Sequence, residues 1–381
     1  MASIVVGLSG GVDSSVAAYL LKKQGHKVIG LFMRNWTDES VTLEEECPWI
    51  EDSNDALLVA EKLEIPFQVL DLSDQYKKRI VDYMFSEYQA GRTPNPDILC
   101  NREIKFDIFL KAALTLGADF VSTGHYVQKS TTLDGVHHLL AGADKSKDQS
   151  YFLCQLNQEQ LSKAMFPIGH LEKSEVRKIA KTIGLATADK KDSQGLCFIG
   201  KVSLPEFLQQ KLRPLKGKII EISPTWSGFK PQKWGEPWIL LPSSGSIVGH
   251  HKGAYYYTIG QRKGLLVGGM ALPLFVISID VKNNIVFVGQ GENHPGLYRS
   301  SLKILHEDVH WVDESSKMVM GDSRNYMVRI RYRQKLFAAK IEVKNEGLAI
   351  YSKYPMKSIA PGQFASWYNG DELVGSGVIQ S

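Results

Sequence analysis

Residues Ser9 to Ser15 read SGGVDSS and lie between two apolar runs, at residues 4–8 and 16–21. This pattern predicts a strand, a glycine turn and then a helix. The first backbone N–H groups of such a helix lack intrahelical partners and lie at the positive end of its dipole, so they can bind an anion. The alternative is an ordinary tight turn in which Asp13 caps the helix.

Two familiar nucleotide-binding loops do not fit this turn. The common phosphate loop is excluded because no lysine lies between Gly7 and Lys22. The dinucleotide fingerprint G-x-G-x-x-G is excluded by the spacing of Gly7, Gly10 and Gly11. We therefore expect amides, hydroxyls and a metal ion to neutralise the bound anion.

Two cysteines lie in segments that could make a thiol reactive. Cys100, in GRTPNPDILCNREIKF, stands just before a predicted helix and near Arg102 and Lys105, which would favour its thiolate form. Asp97, three residues earlier, could cap that helix or act as a general base. Cys197, in DSQGLCFIG, lies in a glycine-flanked loop. Each cysteine alone could be buried and inert, whereas a facing pair could carry two-step sulfur chemistry.

The first two hundred residues alternate strand and helix patterns, which predicts an α/β fold with a doubly wound parallel sheet. The predicted strands cover residues 4–9, 26–33, 65–72 and 118–125, and the predicted helices cover residues 13–24, 54–63 and 101–116. Ligands of such sheets bind at the carboxyl ends of the strands. The glycine turn, Met33 and residues 123–125 would meet at that edge.

After about Gly200 the sequence changes to glycine, proline and short alternating runs, which predicts two small antiparallel β domains. We therefore place the domains at residues 1–202, 203–294 and 295–381. Residues 223–246 are rich in Pro, Trp, Gly and Ser and are expected to form a long loop.

A run of basic residues in the last domain alternates with other residues at the period of a strand. Such a strand would place four cations on one face, namely Arg329, Arg331, Arg333 and Lys335. The face is either a solvated edge strand or a contact strip for a phosphate backbone, with Tyr332 near enough to stack on a base.

Net charge is only +4, with 43% hydrophobic and 23% charged residues, so any basic surface must be local. No apolar run approaches the roughly 20 residues that span a bilayer, and no signal peptide is recognisable. We expect a cytoplasmic protein without a membrane partner. The four cysteines form no CxxC pair, which argues against a disulfide scaffold, a zinc site or a cluster held by such pairs.

Eight motifs, in order and over nearly the whole chain, resemble the tRNA-specific 2-thiouridylases of the PP-loop ATP pyrophosphatase superfamily. They are SGGVDSS, NPDILCNREIKF, STGHY, KDQSYFL, GLCFIG, YTIGQRKGL, RIRYRQ and PGQF. The resemblance implies that ATP adenylates the 2-carbonyl oxygen of the wobble uridine in tRNA, releasing pyrophosphate, and that sulfur then displaces AMP. The tryptophan-bearing segment before Gly249 departs from the family pattern but touches no catalytic motif.

The resemblance also assigns residues. It implies that ATP, with Mg²⁺ neutralising charge on its leaving group, binds at Gly7, Leu8, Ser9, Gly10, Gly11, Val12, Asp13, Ser14, Met33 and Gly124. Cys197 would carry a persulfide delivered by a relay protein, Cys100 would be the nucleophile, and Asp97 would be an acid or base. Contacts to tRNA would come from Asn95, Pro96, Asp97, His125, Lys147, Asp148, Gln149, Arg331, Tyr332 and Gln363. No metal ligand among the protein side chains is implied.

Two other functions stay open at this point. A small-molecule PP-loop synthetase, which adenylates a carboxylate or ureido oxygen, explains SGGVDSS but not the cysteine pair. A non-catalytic RNA-binding protein that kept an ATP fold explains RIRYRQ but makes both cysteines incidental. Taken alone, His125 would be a structural histidine, residues 147–149 a solvated loop and Gln363 a surface residue.

Overall fold

The computed structural model describes residues 1–36, 48–191, 204–230 and 235–381. Eighteen strands lie in these ranges and form three sheets. They are β1 (Ser3–Gly7), β2 (Lys27–Arg34), β3 (Phe67–Asp71), β4 (Phe120–Ser122), β5 (Val127–Thr131), β6 (His137–Ala141), β7 (Ala164–Met165), β8 (Gly217–Glu221), β9 (Ser246–His251), β10 (Leu274–Asp280), β11 (Ile285–Gln290), β12 (Tyr298–Ile304), β13 (Val309–Trp311), β14 (Ser323–Arg329), β15 (Phe337–Lys344), β16 (Gly347–Lys357), β17 (Phe364–Asn369) and β18 (Glu372–Val378).

Nine α-helices lie in the same ranges. They are α1 (Val12–Lys23), α2 (Pro48–Lys62), α3 (Ser73–Tyr76), α4 (Asp82–Gln89), α5 (Pro96–Leu99), α6 (Phe109–Thr115), α7 (Gln158–Lys163), α8 (Lys173–Thr182) and α9 (Leu204–Gln209). Two π-helical segments connect neighbouring α-helices into longer continuous helices. The segment Lys77–Val81 joins α3 to α4, and the segment Cys100–Ile108 joins α5 to α6. No helix in the described part of the chain is long and apolar enough to cross a membrane.

The first sheet is parallel, in the order β3-β2-β1-β4-β7. Its central strand is buried on both faces: Val5 packs into one apolar cluster, while Ile4 and Val6 pack into a second cluster with α1. The predicted doubly wound sheet is thereby confirmed. Because the strand order reverses between β1 and β4, a crevice forms at their carboxyl ends, where α1 begins.

The other two sheets are made of short strands, as predicted. The second sheet has the order β10-β11-β8-β9 and is antiparallel apart from the parallel pair β8–β11. The third sheet, here called the barrel, contains β12, β16, β15, β14, β17, β18, β6 and β5 in that order, with β13 against β18. The domain limits at residues 202 and 294 stay a prediction.

The hairpin β5–β6 was not predicted and belongs to the barrel, although it comes from the first part of the chain. Its strand β6 pairs with β18 through Leu139 and Leu373. An apolar cluster beneath the first sheet also includes Phe364 and Tyr368 of the barrel. The barrel is therefore packed directly against the parallel-sheet part of the molecule.

The prediction of a strand through residues 329–335 is wrong. Strand β14 ends at Arg329, and the chain then turns, with the Gln334 N–H donating to the Arg331 carbonyl at 3.2 Å. The Gln334 side chain stabilises the turn because its Oε1 accepts from the Ile330 N–H at 2.9 Å. The four cations consequently do not share one face.

Candidate active site

The glycine turn after β1 has the conformation that SGGVDSS predicts. Gly10 has φ of +70°, and a Cβ there would lie 2.2 Å from the carbonyl oxygen of Asp52, so only glycine fits. The N-cap of α1 is Gly11, which has no side chain to bond the first N–H groups. The Ser14 hydroxyl accepts from the Ser9 N–H at 3.1 Å and closes the turn. The start of α1 can therefore receive an anion.

The residues that follow β4 pack closely against the start of α1. A Cβ at Gly124 would lie 2.5 Å from the Ser14 backbone nitrogen and 2.6 Å from the Asp13 carbonyl carbon. On the other side of β1, Met33 is buried, and its Cε lies 3.3 Å from where a Cβ of Gly7 would be. The residues predicted to contact adenosine thus flank the glycine turn.

A lysine that the local sequence lacks is supplied from α8. Lys173 Nζ lies 2.8 Å from both carboxylate oxygens of Asp13, and its side chain is 11% exposed. The Tyr126 hydroxyl donates to the same carboxylate at 2.7 Å. Sequence reasoning missed Lys173 because it is 160 residues away from Asp13. Its ammonium group offsets the negative charge of Asp13, the charged side chain of the SGGVDSS motif.

The donor set for a metal ion at this turn is small. Within the described ranges no group of three or more His, Cys, Asp or Glu side chains could hold an ion. The acidic side chain in SGGVDSS is that of Asp13. One carboxylate fits Mg²⁺ that arrives on a triphosphate, since Mg²⁺ is usually bound by one or two carboxylates together with the phosphates.

Cys100 lies inside a helix rather than at its start, so that expectation is wrong. Helix α5 begins at Pro96, and its N-cap is Asn95, whose Oδ1 accepts from the Ile98 N–H at 3.3 Å. Asp97 is consequently not the cap and stands in the first turn. Cys100 directly follows α5 and is fully buried.

The segment before α5 is held by the barrel. The Thr93 N–H donates to the Pro361 carbonyl at 2.8 Å. The Gln363 side-chain amide donates to the carbonyls of Thr93 at 2.9 Å and Pro94 at 3.1 Å. Gly362 has φ of +88°, and its Cβ would lie 2.9 Å from Thr93. Gln363 thus contacts the chain that leads to Cys100.

Several residues predicted to contact tRNA are engaged inside the protein. Asp148 is buried and pairs with Arg329 at 2.7 Å. The Gln149 side-chain oxygen accepts from the Tyr126 N–H at 2.9 Å. The Tyr332 ring lies with its centroid 4.1 Å from that of Phe152. Lys147, Asn95 and Asp97 are half-buried, whereas Arg333 and Lys335 are exposed.

His125 is a buried histidine between aromatic rings. Its Nδ1 lies 2.7 Å from the Thr123 hydroxyl oxygen, and Phe106 and Phe166 pack beside the ring. Burial, and secondarily the charge of Lys105, lowers the pKa of His125 well below its usual value. The ring is therefore neutral at physiological pH.

Cys197 and Cys47 lie outside the described residues, but the chain that leads towards Cys197 is described up to residue 191. The Thr187 hydroxyl donates to the Ser15 hydroxyl of α1 at 3.1 Å. Lys190 pairs with Asp52 at 2.7 Å and also with Asp55. This stretch is anchored beside the glycine turn.

A parallel sheet with a glycine turn at its switch point, shaped so that an anion could bind, is typical of nucleotide-binding α/β domains, and here two β domains follow it. Residues 2–201 match the family model described as tRNA methyl transferase HUP domain. Residues 205–290 match the tRNA methyl transferase PRC-barrel domain, and residues 301–379 match the aminomethyltransferase beta-barrel domain.

Curated relatives match along the whole chain. It is 58% identical to a tRNA-specific 2-thiouridylase MnmA of Flavobacterium johnsoniae and 56% identical to one of Christiangramia forsetii, with 100% of both chains covered in each case. A third, from Karelsulcia muelleri, is 46% identical over 99% of this chain and 98% of its own. The chain belongs to the tRNA-specific 2-thiouridylase family, an enzyme family of sulfurtransferases, and the resemblance drawn from its motifs is confirmed.

Proposed function

We propose that the protein thiolates position 2 of the wobble uridine in tRNA. The uracil 2-carbonyl oxygen attacks the α-phosphorus of ATP, and the bond to pyrophosphate breaks. A persulfide sulfur then attacks C2 of the base, and AMP leaves with the oxygen. The observation that carries the proposal is the end-to-end similarity to enzymes named tRNA-specific 2-thiouridylase.

The glycine turn supplies the ATP half of the reaction. Amides at Gly10 and Gly11 would hold the pyrophosphate end of ATP, and Lys173 would offset the negative charge of Asp13 next to the leaving group. Mg²⁺ bound to the nucleotide would neutralise further charge on the phosphates. Met33 and Gly124 flank the turn on opposite sides of β1, and we place the adenosine against these two residues.

The two cysteines supply the sulfur half. The outer sulfur of a Cys197 persulfide bonds to C2 of the base as AMP leaves. The Cys100 thiolate then attacks the Cys197 sulfur, which releases 2-thiouridine and leaves a Cys100–Cys197 disulfide. An external thiol must reduce this disulfide before the next turnover, in keeping with a cytoplasmic location. Because Cys100 is fully buried, we expect slow alkylation of Cys100 in the absence of tRNA.

The tRNA would lie over the exposed cations and the segment before Cys100. We assign the tRNA contacts to Asn95, Asp97 and Lys147, and we add the exposed side chains of Arg333 and Lys335. A uridine must leave its stack before its carbonyl can be reached, and an anticodon loop permits this. Asp97 is in the first turn of α5, where it could exchange a proton with that base.

The decisive experiment uses ATP labelled at the α-phosphate, unmodified tRNA with a wobble uridine, a persulfide donor and Mg²⁺. We expect AMP to appear in step with thiolated tRNA, and neither product without tRNA. AMP formed freely without tRNA would indicate a small-molecule synthetase. Binding of tRNA without any AMP would indicate a non-catalytic RNA-binding protein.

Cysteine variants separate the two halves of the reaction. Cys197→Ser should retain tRNA-dependent AMP formation and lose thiolation, and Cys100→Ser should also lose thiolation. Cys154→Ala is the matched control, because burial raises the pKa of the Cys154 thiol to about 12 and keeps it protonated. Full thiolation by Cys197→Ser would remove the persulfide role from that residue.

A further inference from the structure

The helix that contains Cys100 has an irregular turn. The segment Cys100–Ile108 is π-helical, so its backbone N–H groups donate to carbonyls five residues earlier rather than four. The Phe109 N–H, for example, donates to the Ile104 carbonyl. Within the segment, Phe106 has φ of −104° and ψ of 15°, which lies outside the helical range. A π turn is rare, and such local strain persists where contacts from other elements hold it.

The side chain of Gln160, on helix α7, bonds this irregular turn. Its Nε2 donates to the Arg102 carbonyl at 3.1 Å and to the Phe106 carbonyl at 3.0 Å. The two carbonyls are about one helical turn apart, so a single amide spans the turn. A change to the α register would move the carbonyls relative to each other and to Gln160. The two bonds therefore stabilise the π register.

Gln160 is itself fixed in position. Its backbone N–H donates to Asn157 Oδ1 at 2.9 Å, and its Oε1 accepts from the Asn157 N–H at 3.1 Å. These reciprocal bonds form the capping box of α7 and use the oxygen of the Gln160 amide. The nitrogen of the same amide is thereby directed at the π turn. One side chain begins α7 and holds a second helix.

Residues 152–160, here called the clamp, make further bonds to the same helix. The Asn101 side-chain amide donates to the Phe152 carbonyl at 3.0 Å, and Arg102 Nη1 donates to Gln155 Oε1 at 2.8 Å. Gln155 also donates to strand β18 of the barrel at 2.7 Å. The clamp is thus anchored outside the helix that it holds.

We propose that Gln160 is a positioning residue: its side-chain amide holds the helix after Cys100 in the π register and so keeps the Cys100 thiol in a fixed, buried place. Each helical residue turns the chain by about 100°, so loss of the extra residue in the π turn rotates Cys100 relative to α6. The thiol would then leave the apolar cluster in which it is buried. The inference rests on the proposed function for its effect on turnover, because Cys100 is there the nucleophile.

The test compares Gln160→Glu with Gln158→Glu. Gln160→Glu removes the donor to the π turn but keeps the acceptor for Asn157, and Glu is as typical as Gln at this position of a capping box. Gln158 stands on the same helix and also donates to two carbonyls, those of His137 and Val312. Gln158→Glu therefore introduces the same charge and removes the same kind of donor away from the π turn.

The first measurement is the rate at which iodoacetamide alkylates each cysteine, followed by the mass of the cysteine peptides, without ATP or tRNA. We expect alkylation of Cys100 to be about tenfold to a hundredfold faster in Gln160→Glu and unchanged in Gln158→Glu. The new carboxylate cannot cause this increase, because a nearby negative charge raises the pKa of a thiol and slows alkylation. Cys154 is also fully buried and reports opening of the whole core, so its rate should not change.

The second measurement is thiolation at saturating tRNA. A misplaced nucleophile should lower kcat in Gln160→Glu by about tenfold to a hundredfold and leave the KM for tRNA unchanged. Gln158→Glu should keep the wild-type kcat.

Three results would overturn the inference: Cys100 alkylation at the wild-type rate in Gln160→Glu, an equal increase for Cys100 and Cys154, or an equal increase in Gln158→Glu. Gln160→Met carries no charge and must also expose Cys100, which keeps the inference testable if Gln160→Glu folds poorly. Alkylation requires neither tRNA nor ATP, so absence of thiolation by the wild-type protein would count against the proposed function alone.

Discussion

Asp148 and Arg329 form a buried ion pair across two parts of the molecule. The distance between Asp148 Oδ2 and Arg329 Nη2 is 2.7 Å, and the two side chains are only 4% and 9% exposed. The other carboxylate oxygen accepts from the N–H groups of Gly142 and Ser150. The Arg329 guanidinium lies 4.8 Å from the centroid of the Tyr368 ring. A residue predicted to contact tRNA is thus a structural link between the chain before Tyr151 and strand β14.

Removal of one partner should be costly because it leaves the other charge buried without compensation. We expect Asp148→Leu to lower the free energy of unfolding by about 3–5 kcal/mol. Lys145→Ala is the matched control: the Lys145–Asp371 pair also joins the first part of the chain to the barrel, but its side chains are 58% and 68% exposed. That change should cost about 0–1 kcal/mol. Urea denaturation measures both values, and equal losses would contradict the prediction.

Lys173 should matter for the ATP half of the reaction. Lys173→Met removes the ammonium group beside Asp13 and leaves a carboxylate close to where the phosphates would bind. We expect tRNA-dependent AMP formation in a single turnover to fall by about 10²–10³-fold. Lys178→Met removes an exposed cation from the same helix and should change the rate little. Similar rates for the two variants would exclude the assigned role of Lys173.

Gly124→Ala should weaken ATP binding through a steric effect. The added methyl group would lie 2.5 Å from the Ser14 backbone nitrogen, so the start of α1 must shift. Overpacking of this kind costs about 1–3 kcal/mol, which corresponds to an increase of about 5-fold to 150-fold in the ATP dissociation constant. Gly268→Ala is the control, because no heavy atom lies within 4 Å of its added Cβ. Titration with ATP measures both constants.

The stability of the protein should fall in mild acid, partly through His125. The folded protein lowers the pKa of His125, so below the usual value of 6.5 the unfolded chain binds a proton that the folded chain does not. The free energy of unfolding is therefore at its full value above about pH 6.5 and decreases as the pH falls. His125→Gln should flatten this decrease between about pH 6.5 and 5. Burial also lowers the pKa of His251, His294 and His310, so part of the slope should remain. If the free energy of unfolding depended on pH in the same way for the wild type and for His125→Gln, the contribution assigned to His125 would be wrong.

The parallel sheet could be predicted because its strands and helices differ in local period and because SGGVDSS fixes one strand–turn–helix unit. The true start of α5 was also readable, since Asn95 followed by Pro96 is a typical N-cap and first helical residue. The alternation of RIRYRQ is typical of a strand, but it does not show that the Gln334 side chain would close a turn.

Local sequence patterns could not predict the contacts between distant parts of the chain. The Lys173–Asp13 pair, the hydrogen bond from Gln363 to Thr93 and the pairing of β6 with β18 each depend on how separate elements pack. Periodicity places residues on faces of their own element and carries no information about which other element meets that face. The candidate tRNA-contact residues and the roles proposed for Cys100 and Cys197 came from the resemblance, because residue spacing alone did not indicate them.

The hairpin β5–β6 has a consequence for the folding of the protein during its synthesis on the ribosome. His138 of β6 pairs with Glu372 of β18, and these residues are 234 positions apart in the chain. At about 5–20 residues per second, the ribosome needs roughly 12–47 s to make the intervening chain. During that interval the edge of β6 that later pairs with β18 lacks that strand and could pair with another nascent chain. We therefore expect chaperone dependence of this enzyme to be greatest while its barrel is still being synthesised.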